Sequence, residues 1–319
     1  MIPGNTNVTV ANPSVRSLET PEAAPGVSPK GTAGPDFFCV GAQKGGTGWL
    51  YEQLRSHPDF WMPPVKELHY FDRLWRSPRP RTSSRFLFAG KTEDRVRGAR
   101  QNARDQRDQL FLDEMEKLFA RPEIDLEDYA QLFASKGSLL SGDITPGYSA
   151  LPDEIIERIA RFFPAVKVLF LARDPVERAW SQLSMWVRHG RIQRFDSGDL
   201  DQVTQNLLRP EVLVRSHPST IVARWRRHLP EALFRVYFFD DLKHAPGPLR
   251  QSIIQFLGGD PLKKSGQLAA DHNSKAKQER LELTDKVRAH LARFFEHELK
   301  TCADELGGPA REWPARYGF

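Results

Sequence analysis

Short runs of consecutive apolar residues alternate along this chain with stretches whose apolar residues recur every three or four positions. Phe37-Phe38-Cys39-Val40 ends at Gly41, Val166-Lys167-Val168-Leu169-Phe170-Leu171-Ala172 is the clearest run, and Phe234-Arg235-Val236-Tyr237-Phe238-Phe239 is a third. Such runs predict strands buried on both faces. Ser138 to Asp143 predicts another strand, leading into a turn at Ile144-Thr145-Pro146-Gly147-Tyr148, and Phe60-Trp61-Met62 predicts a short extended piece. Helical spacing falls between them. It covers Trp49, Leu50 and Leu54, then Leu110 to Phe119, Asp125 to Phe133, and Pro152 to Phe163 with a stop at Pro164. It resumes from Pro175 through Trp180 and Trp186 to about His189, from Ile221 to His228, and from Leu249 to Leu257 before Gly258-Gly259. One long pattern runs from Glu279 to Leu306. Strands alternating with helices predict an α/β fold: a central parallel β-sheet flanked by helices, in three layers.

Two regions lack this patterning. Residues 1–35 carry six prolines, four glycines and no hydrophobic period, which predicts a disordered leader before a single domain over 36–319. From Arg76 to Arg107 there are ten basic residues against three acidic ones. That stretch, the core of an excursion at about 76–110, reads either as a solvated, mobile segment or as a lid or dock for an anionic acceptor.

Composition changes the picture little. Hydrophobic residues make up 39 % and charged residues 27 % of the 319, and the net charge of +5 favours anionic ligands without implying nucleic acid. The two cysteines, Cys39 and Cys302, fit no metal-ligand or C-x-x-C spacing and read as reduced thiols, which suits the cytoplasm. No apolar run is long enough to span a membrane, and no secretory signal is visible. Oligomeric state is not readable.

The chemistry begins after the first strand, at Gly41-Ala42-Gln43-Lys44-Gly45-Gly46-Thr47-Gly48-Trp49. Glycines let the backbone turn tightly and approach a ligand closely. Successive N–H groups at a helix start then face an anion, and the helix dipole favours it. Lys44 adds a point charge and Thr47 a hydroxyl. A standard Walker A loop places Lys directly after its last glycine and a Ser or Thr after that. Here Thr47 and Gly48 hold those two positions and Lys44 lies inside the loop, so the usual magnesium handle is missing.

This loop resembles the phosphosulfate loop of sulfotransferases that use 3′-phosphoadenosine-5′-phosphosulfate (PAPS), whose P-loop-like nucleotide-binding sandwich agrees with the predicted layers. The resemblance implies that Lys44 contacts the bridging and 5′-phosphate oxygens, that Gly45, Gly46, Thr47, Gly48 and Trp49 hold the 5′-phosphate, and that Trp49 stacks on adenine. Trp49 also reads as core packing. Such a donor needs a second phosphate site. Val168 to Ser181 resembles the family's strand–R-[DN]-P–x–x-R-x-x-S motif, which points to Arg173 and Ser181 for the 3′-phosphate. Physically, Arg173 leaves the carboxyl end of a strand, where open α/β sheets bind ligands. Arg178 reads as a structural ion pair. The late segment His272-Asn273-Ser274-Lys275-Ala276-Lys277 lies where many members contact the 3′-phosphate, so Lys275 joins the set, although the R-K-G form is absent.

Lys66-Glu67-Leu68-His69-Tyr70-Phe71-Asp72 resembles the K-E-x-H-F-F-D segment of heparan-sulfate-type and related bacterial sulfotransferases. In that group the glutamate is the general base, which implies Glu67, with His69 as the runner-up. Gly142 to Tyr148 resembles a family segment often reading G-E-K-[ST]-P-x-Y, with Ile144 in place of the lysine. The resemblance spans about Asp36 to Leu306 and implies sulfuryl transfer from PAPS to a hydroxyl of a carbohydrate, glycolipid or small metabolite, leaving 3′,5′-ADP, with no metal. The competing expectations are a P-loop kinase using Mg-ATP and a non-catalytic module that binds sulfated glycans through the 76–107 arginines.

Overall fold

The run from Phe37 to Gly41 forms a strand whose side chains divide between two cores. Phe38 and Val40 enter one hydrophobic cluster with Val168, Phe170 and Ala172, while Phe37 and Cys39 enter another with Leu169 and Leu171. A sheet with a core on each face is the middle of three layers, as the continuous apolar runs predict. The computed structural model describes residues 34–72, 94–121, 124–263, 268–272 and 280–319. The predicted leader lies outside the described residues but for Gly34 and Pro35, as do residues 76–93 of the arginine-rich stretch and Asn273 to Lys277 of the late segment.

Strands β1 (Phe37–Gly41), β2 (Gly142–Ile144), β3 (Lys167–Ala172) and β4 (Phe234–Phe238) are parallel, in the order β2-β1-β3-β4. Helix α1 (Thr47–Arg55) and the helix Pro246–Leu257 cover one face, through Trp49, Leu50, Leu54, Leu249, Ile253 and Leu257. The helices Gln106–Ala120, Asp153–Phe162, Pro175–Arg188 and Pro218–Arg226 contribute to the cluster on the other. The chain leaves β1 toward β2 on one side and leaves β3 toward β4 on the other. The loops after β1 and β3 therefore open into the same crevice at the sheet's carboxyl edge, where such sheets bind ligands.

Several elements differ from the sequence reading, each for a tertiary reason. The long pattern ending at Leu306 is two helices, Asp285–Phe294 and Glu296–Leu306, preceded by non-helical residues 280–284. Thr284 caps the first, and the chain bends at Phe295. The second helix places Glu298 where its carboxylate accepts from the backbone N–H and hydroxyl of Ser219, both at 2.9 Å. The strand expected from Ser138 begins only at Gly142; Leu140 instead pairs with Phe60 in an isolated parallel bridge. The strand from Phe234 stops at Phe238, and Phe239 opens the helix Phe239–His244, whose first turn carries Asp240 and Asp241. The helix Leu200–Leu207 was not expected; Asp199 caps it and it buries Val203 and Leu207.

Part of the arginine-rich stretch is described, and residues 94–101 of it are helical. Arg97 pairs with Asp94, Arg100 with Asp113 and Glu116, Arg104 with Asp108, and Arg107 with Asp105. Most of these acids lie beyond the basic run or at its end, so local charge counting missed them. Among the described residues both cysteines are free and buried, and no helix is long and apolar enough to cross a membrane.

Candidate active site

The glycine loop folds back on the end of β1. Ala42 N–H donates to the Leu171 carbonyl at 2.9 Å, and Gly45 N–H closes a turn onto Ala42 O at 2.9 Å. A Cβ on Gly45 would sit 2.5 Å from the Leu171 carbonyl oxygen, and Gly46 has φ +99°, so both positions require glycine. Gly46 is the N-cap of α1. Among the described residues no side chain caps this helix and its first turn holds no acid. The N–H groups that a capping oxygen would otherwise satisfy point out of the helix start, a ready anion site.

Arg173 follows β3 directly and reaches this loop. One guanidinium nitrogen donates to the Lys44 carbonyl at 2.7 Å and the other to Glu177 Oε2 at 3.1 Å, while the guanidinium lies 4.2 Å from the centre of the Phe239 ring. Its Nε is buried and has no hydrogen-bond partner among the described residues. Burial lowers its proton affinity, and the charge of Arg280 adds to that. Asp174 caps the next helix by accepting from Val176 N–H at 2.9 Å, with Pro175 at the first helical position, as the sequence predicts. Ser181 lies further along this helix, half-buried, and no hydrogen bond joins it to Arg173 or to the loop among the described residues.

Trp49 is buried in the α1 cluster with Leu50 and Phe60, and its indole N–H donates to Ala270 O at 2.6 Å. Gln53 adds a bond to Ala269 O at 2.9 Å. These two side chains pin residues 269–270 onto α1. Lys275 lies outside the described residues. Arg280, just past that segment, is the described cation that acts on Arg173; sequence reading had absorbed it into a helix. Arg178 is a correction. Among the described residues it makes no ion pair; it is fully buried and donates to Gln182 Oε1 at 2.6 Å, Ser216 Oγ at 2.5 Å and Val212 O at 3.3 Å. Burial, with Arg215 and Arg173 nearby, pushes it down to about 9.

The Lys66–Asp72 segment faces the loop. Lys66 Nζ lies 3.4 Å from Thr47 Oγ1 and 2.5 Å from Glu67 Oε1. His69 sits between two acids, with Nε2 at 3.5 Å from Glu67 Oε2 and Nδ1 at 2.9 Å from Asp72 Oδ2. Burial alone would raise the Glu67 carboxyl, but the His69 hydrogen bond and the Lys66 charge outweigh it and hold the group well below the usual carboxylate range. Burial opposes charge on His69, yet Asp72 and Glu67 outweigh it and raise the imidazole above its ordinary value. Glu67 is therefore an anion at neutral pH, and the two acidic neighbours of His69 shift it toward the protonated form.

The backbone singles out the same residues. Among the described residues, the non-glycine positions with positive φ are Lys44 at 71°, Glu67 at 63° and His69 at 57°. Left-handed backbone is unfavourable for side-chain-bearing residues and clusters where function demands a placement. Long-range contacts hold these conformations. Arg95 donates to the carbonyls of both Lys66 and Glu67, the latter at 2.7 Å. Tyr148 O–H accepts from Tyr70 N–H at 3.1 Å and donates to buried Asp143 at 2.7 Å. Asp143 also accepts from Tyr129 at 2.9 Å and Thr145 at 2.6 Å. Ile144, which stands in place of the lysine of the resembling segment, packs in the α1-side core. Sequence reading missed Arg95 as a support; its only signal was membership of the basic run.

The crevice at the sheet's switch point, the uncapped start of α1 and the Glu67 carboxylate lie together at one site. A sequence model of the sulfotransferase family matches residues 35–261, and the chain belongs to that family. The fold is similar to that of a sulfotransferase from Alicyclobacillus acidocaldarius, at 21 % identity over 88 % of this chain and 98 % of that one, with a TM-score of 0.60. The sulfotransferase domain of the Synechococcus PCC 7002 olefin synthase matches at 17 % identity over 84 % of this chain and 97 % of that domain, with a TM-score of 0.47.

Proposed function

We propose that this sulfotransferase moves the sulfuryl group of PAPS to a hydroxyl, releasing 3′,5′-ADP. The observation that carries the reading is the join between loop and acid: the Lys66 ammonium bridges the Thr47 hydroxyl, at 3.4 Å, and the Glu67 carboxylate, at 2.5 Å. An oxygen nucleophile directed at a group held by the loop thus meets a carboxylate. The uncapped start of α1 and the partnerless Nε of Arg173 suit an anionic donor. Gly45 to Trp49 and Arg173 would hold its phosphates, with Ser181 and Lys275 assigned to the 3′-phosphate on family resemblance. Bound there, the donor supplies a sulfuryl group on a phosphate leaving group.

The chain's own residues supply the rest. Glu67 takes the proton of the acceptor hydroxyl, a role worth about 10²–10⁴-fold. Lys44, fixed in the loop, offsets the charge that grows on the leaving oxygen. His69, oriented by Asp72, holds Glu67 in place. Lys66, which reaches both Thr47 and Glu67, would also be within reach of an anion at the start of α1. Gly48 stands where NTPases carry the magnesium-binding hydroxyl, and a sulfuryl group carries less charge than a phosphoryl group; both support transfer without a metal. The two unpaired cysteines support a reducing compartment, the cytoplasm.

The acceptor class is a hydroxyl-bearing carbohydrate, glycolipid or small metabolite. Incubating the protein with labelled PAPS and a panel of hydroxylated compounds, read by mass spectrometry, should show an added sulfuryl group. Transfer of phosphate from Mg-ATP to the same panel, with none from PAPS, would overturn the reading.

A further inference from the structure

A cavity of about 360 Å³ adjoins the candidate base, and Arg55, Lys66, Arg95 and Asn102 line it with Pro64 and Val65. Three of these side chains are cations and one is an amide, and among the described residues no carboxylate contributes to the wall. That volume is in the range of small-ligand pockets. Lys66 is common to the loop, the acid and the cavity, so a molecule in the cavity borders the reacting centre. Arg55 is the last residue of α1, about 12 Å along the helix axis from Thr47, so the cavity leads away from the helix start. Among the described residues Arg55 is exposed and takes no ion pair. Arg95 bonds the two backbone carbonyls through Nη2 alone, leaving the other donors of its fork. Asn102 donates to Gly98 O at 2.8 Å and keeps its amide oxygen for a hydroxyl. A guanidinium fork and a second arginine beside an amide match an oxyanion on a hydroxylated scaffold.

We infer that this cavity is an acceptor subsite, and that the acceptor carries an oxyanion, a carboxylate or a sulfate ester, held by Arg55 and Arg95 while a hydroxyl reaches Glu67. The inference rests on the sulfuryl-transfer reading above. It narrows the acceptor to an extended, hydroxylated and negatively charged molecule. Exposed Arg55 supplies selectivity between charged and neutral acceptors, and half-buried Arg95 also fixes the backbone of the base segment.

The test uses the full chain saturated with 3′,5′-ADP, titrated calorimetrically with p-nitrophenyl β-D-glucoside, its 6-sulfate, and p-nitrophenyl β-D-glucuronide. At least one anionic probe should bind about tenfold tighter than the glucoside, and the tighter of the two identifies the oxyanion. Arg55→Gln should cut that preference below about threefold, and Arg55→Glu should abolish or reverse it. Neither change should alter 3′,5′-ADP affinity, because Arg55 lies at the other end of α1. Equal binding of all three probes, binding of none, or a preference that survives Arg55→Gln would overturn the subsite. Absence of 3′,5′-ADP binding in the unaltered protein would count against the donor instead, and the same probes titrated without nucleotide would still decide the subsite.

Discussion

The glycine loop and the Lys66–Asp72 segment both hold side-chain-bearing residues in left-handed backbone, yet they are held by different means. Around Lys44 the constraint is mostly local: the Gly45 N–H to Ala42 O turn, a glycine on each side of a close approach, and a helix that starts at Thr47. From afar, Arg173 takes the Lys44 carbonyl and the Leu171 carbonyl takes the Ala42 N–H. Around Glu67 and His69 the constraint is almost entirely remote. Arg95 fixes two carbonyls, Tyr148 takes the Tyr70 N–H, and Asp143 anchors Tyr148 from β2. A site made of backbone can be encoded in nine residues. A site made of side chains that must act on one another draws its support from the whole fold.

This contrast predicts that substitutions in the second segment change chemistry while leaving nucleotide binding intact. The largest effect is expected for Glu67→Gln, which should lower kcat in the sulfuryl-transfer assay by about 10²–10⁴-fold with 3′,5′-ADP affinity retained. Comparable loss of nucleotide affinity would show that the segment is part of the donor site. Lys44→Ala should cost about 10²–10³-fold in kcat; here affinity should fall too, because the loop is both cradle and catalyst. Arg95→Gln should lose about 10–100-fold in kcat through displacement of the Lys66–Glu67 backbone, with 3′,5′-ADP binding unchanged. If Arg95→Gln instead matched the unaltered enzyme, remote support would be unimportant.

The smallest effect separates His69 from Glu67 by pH. The folded state raises the His69 pKa, so its contribution to stability is complete below the ordinary histidine value and is lost as pH rises through the raised one. His69→Asn should therefore lower Tm by about 3 °C at pH 6, with a smaller gap at pH 9, as measured by calorimetry. A gap that widens toward pH 9 would mean that the imidazole is neutral in the fold and available as a base.

The same division governs what the sequence made legible. The four parallel strands, the glycine loop and the Asp174-Pro175 helix start follow from apolar runs, turn chemistry and capping within a few residues of one another. The break at Phe295 does not; just beyond it Glu298 meets Ser219, a residue far away in sequence. The partners of Arg97, Arg100, Arg104 and Arg107 were also hidden, since the acids that pair with them are scattered from Asp94 to Glu116. Arg178 carries no sequence signal that its partners would be an amide, a hydroxyl and a carbonyl rather than a carboxylate. Glu67 and His69 were found through family resemblance; their left-handed backbone and the Lys66 bridge became visible only in the fold.

The central claim is that the loop and Arg173 belong to a nucleotide with both a 5′- and a 3′-phosphate. Calorimetric titration of the full chain in EDTA with 3′,5′-ADP and with ADP tests it directly. The 3′-phosphate adds charge-assisted hydrogen bonds, so 3′,5′-ADP should bind about 100-fold tighter than ADP without any metal. Equal affinity for the two, or tight binding confined to Mg-ATP, would contradict the account.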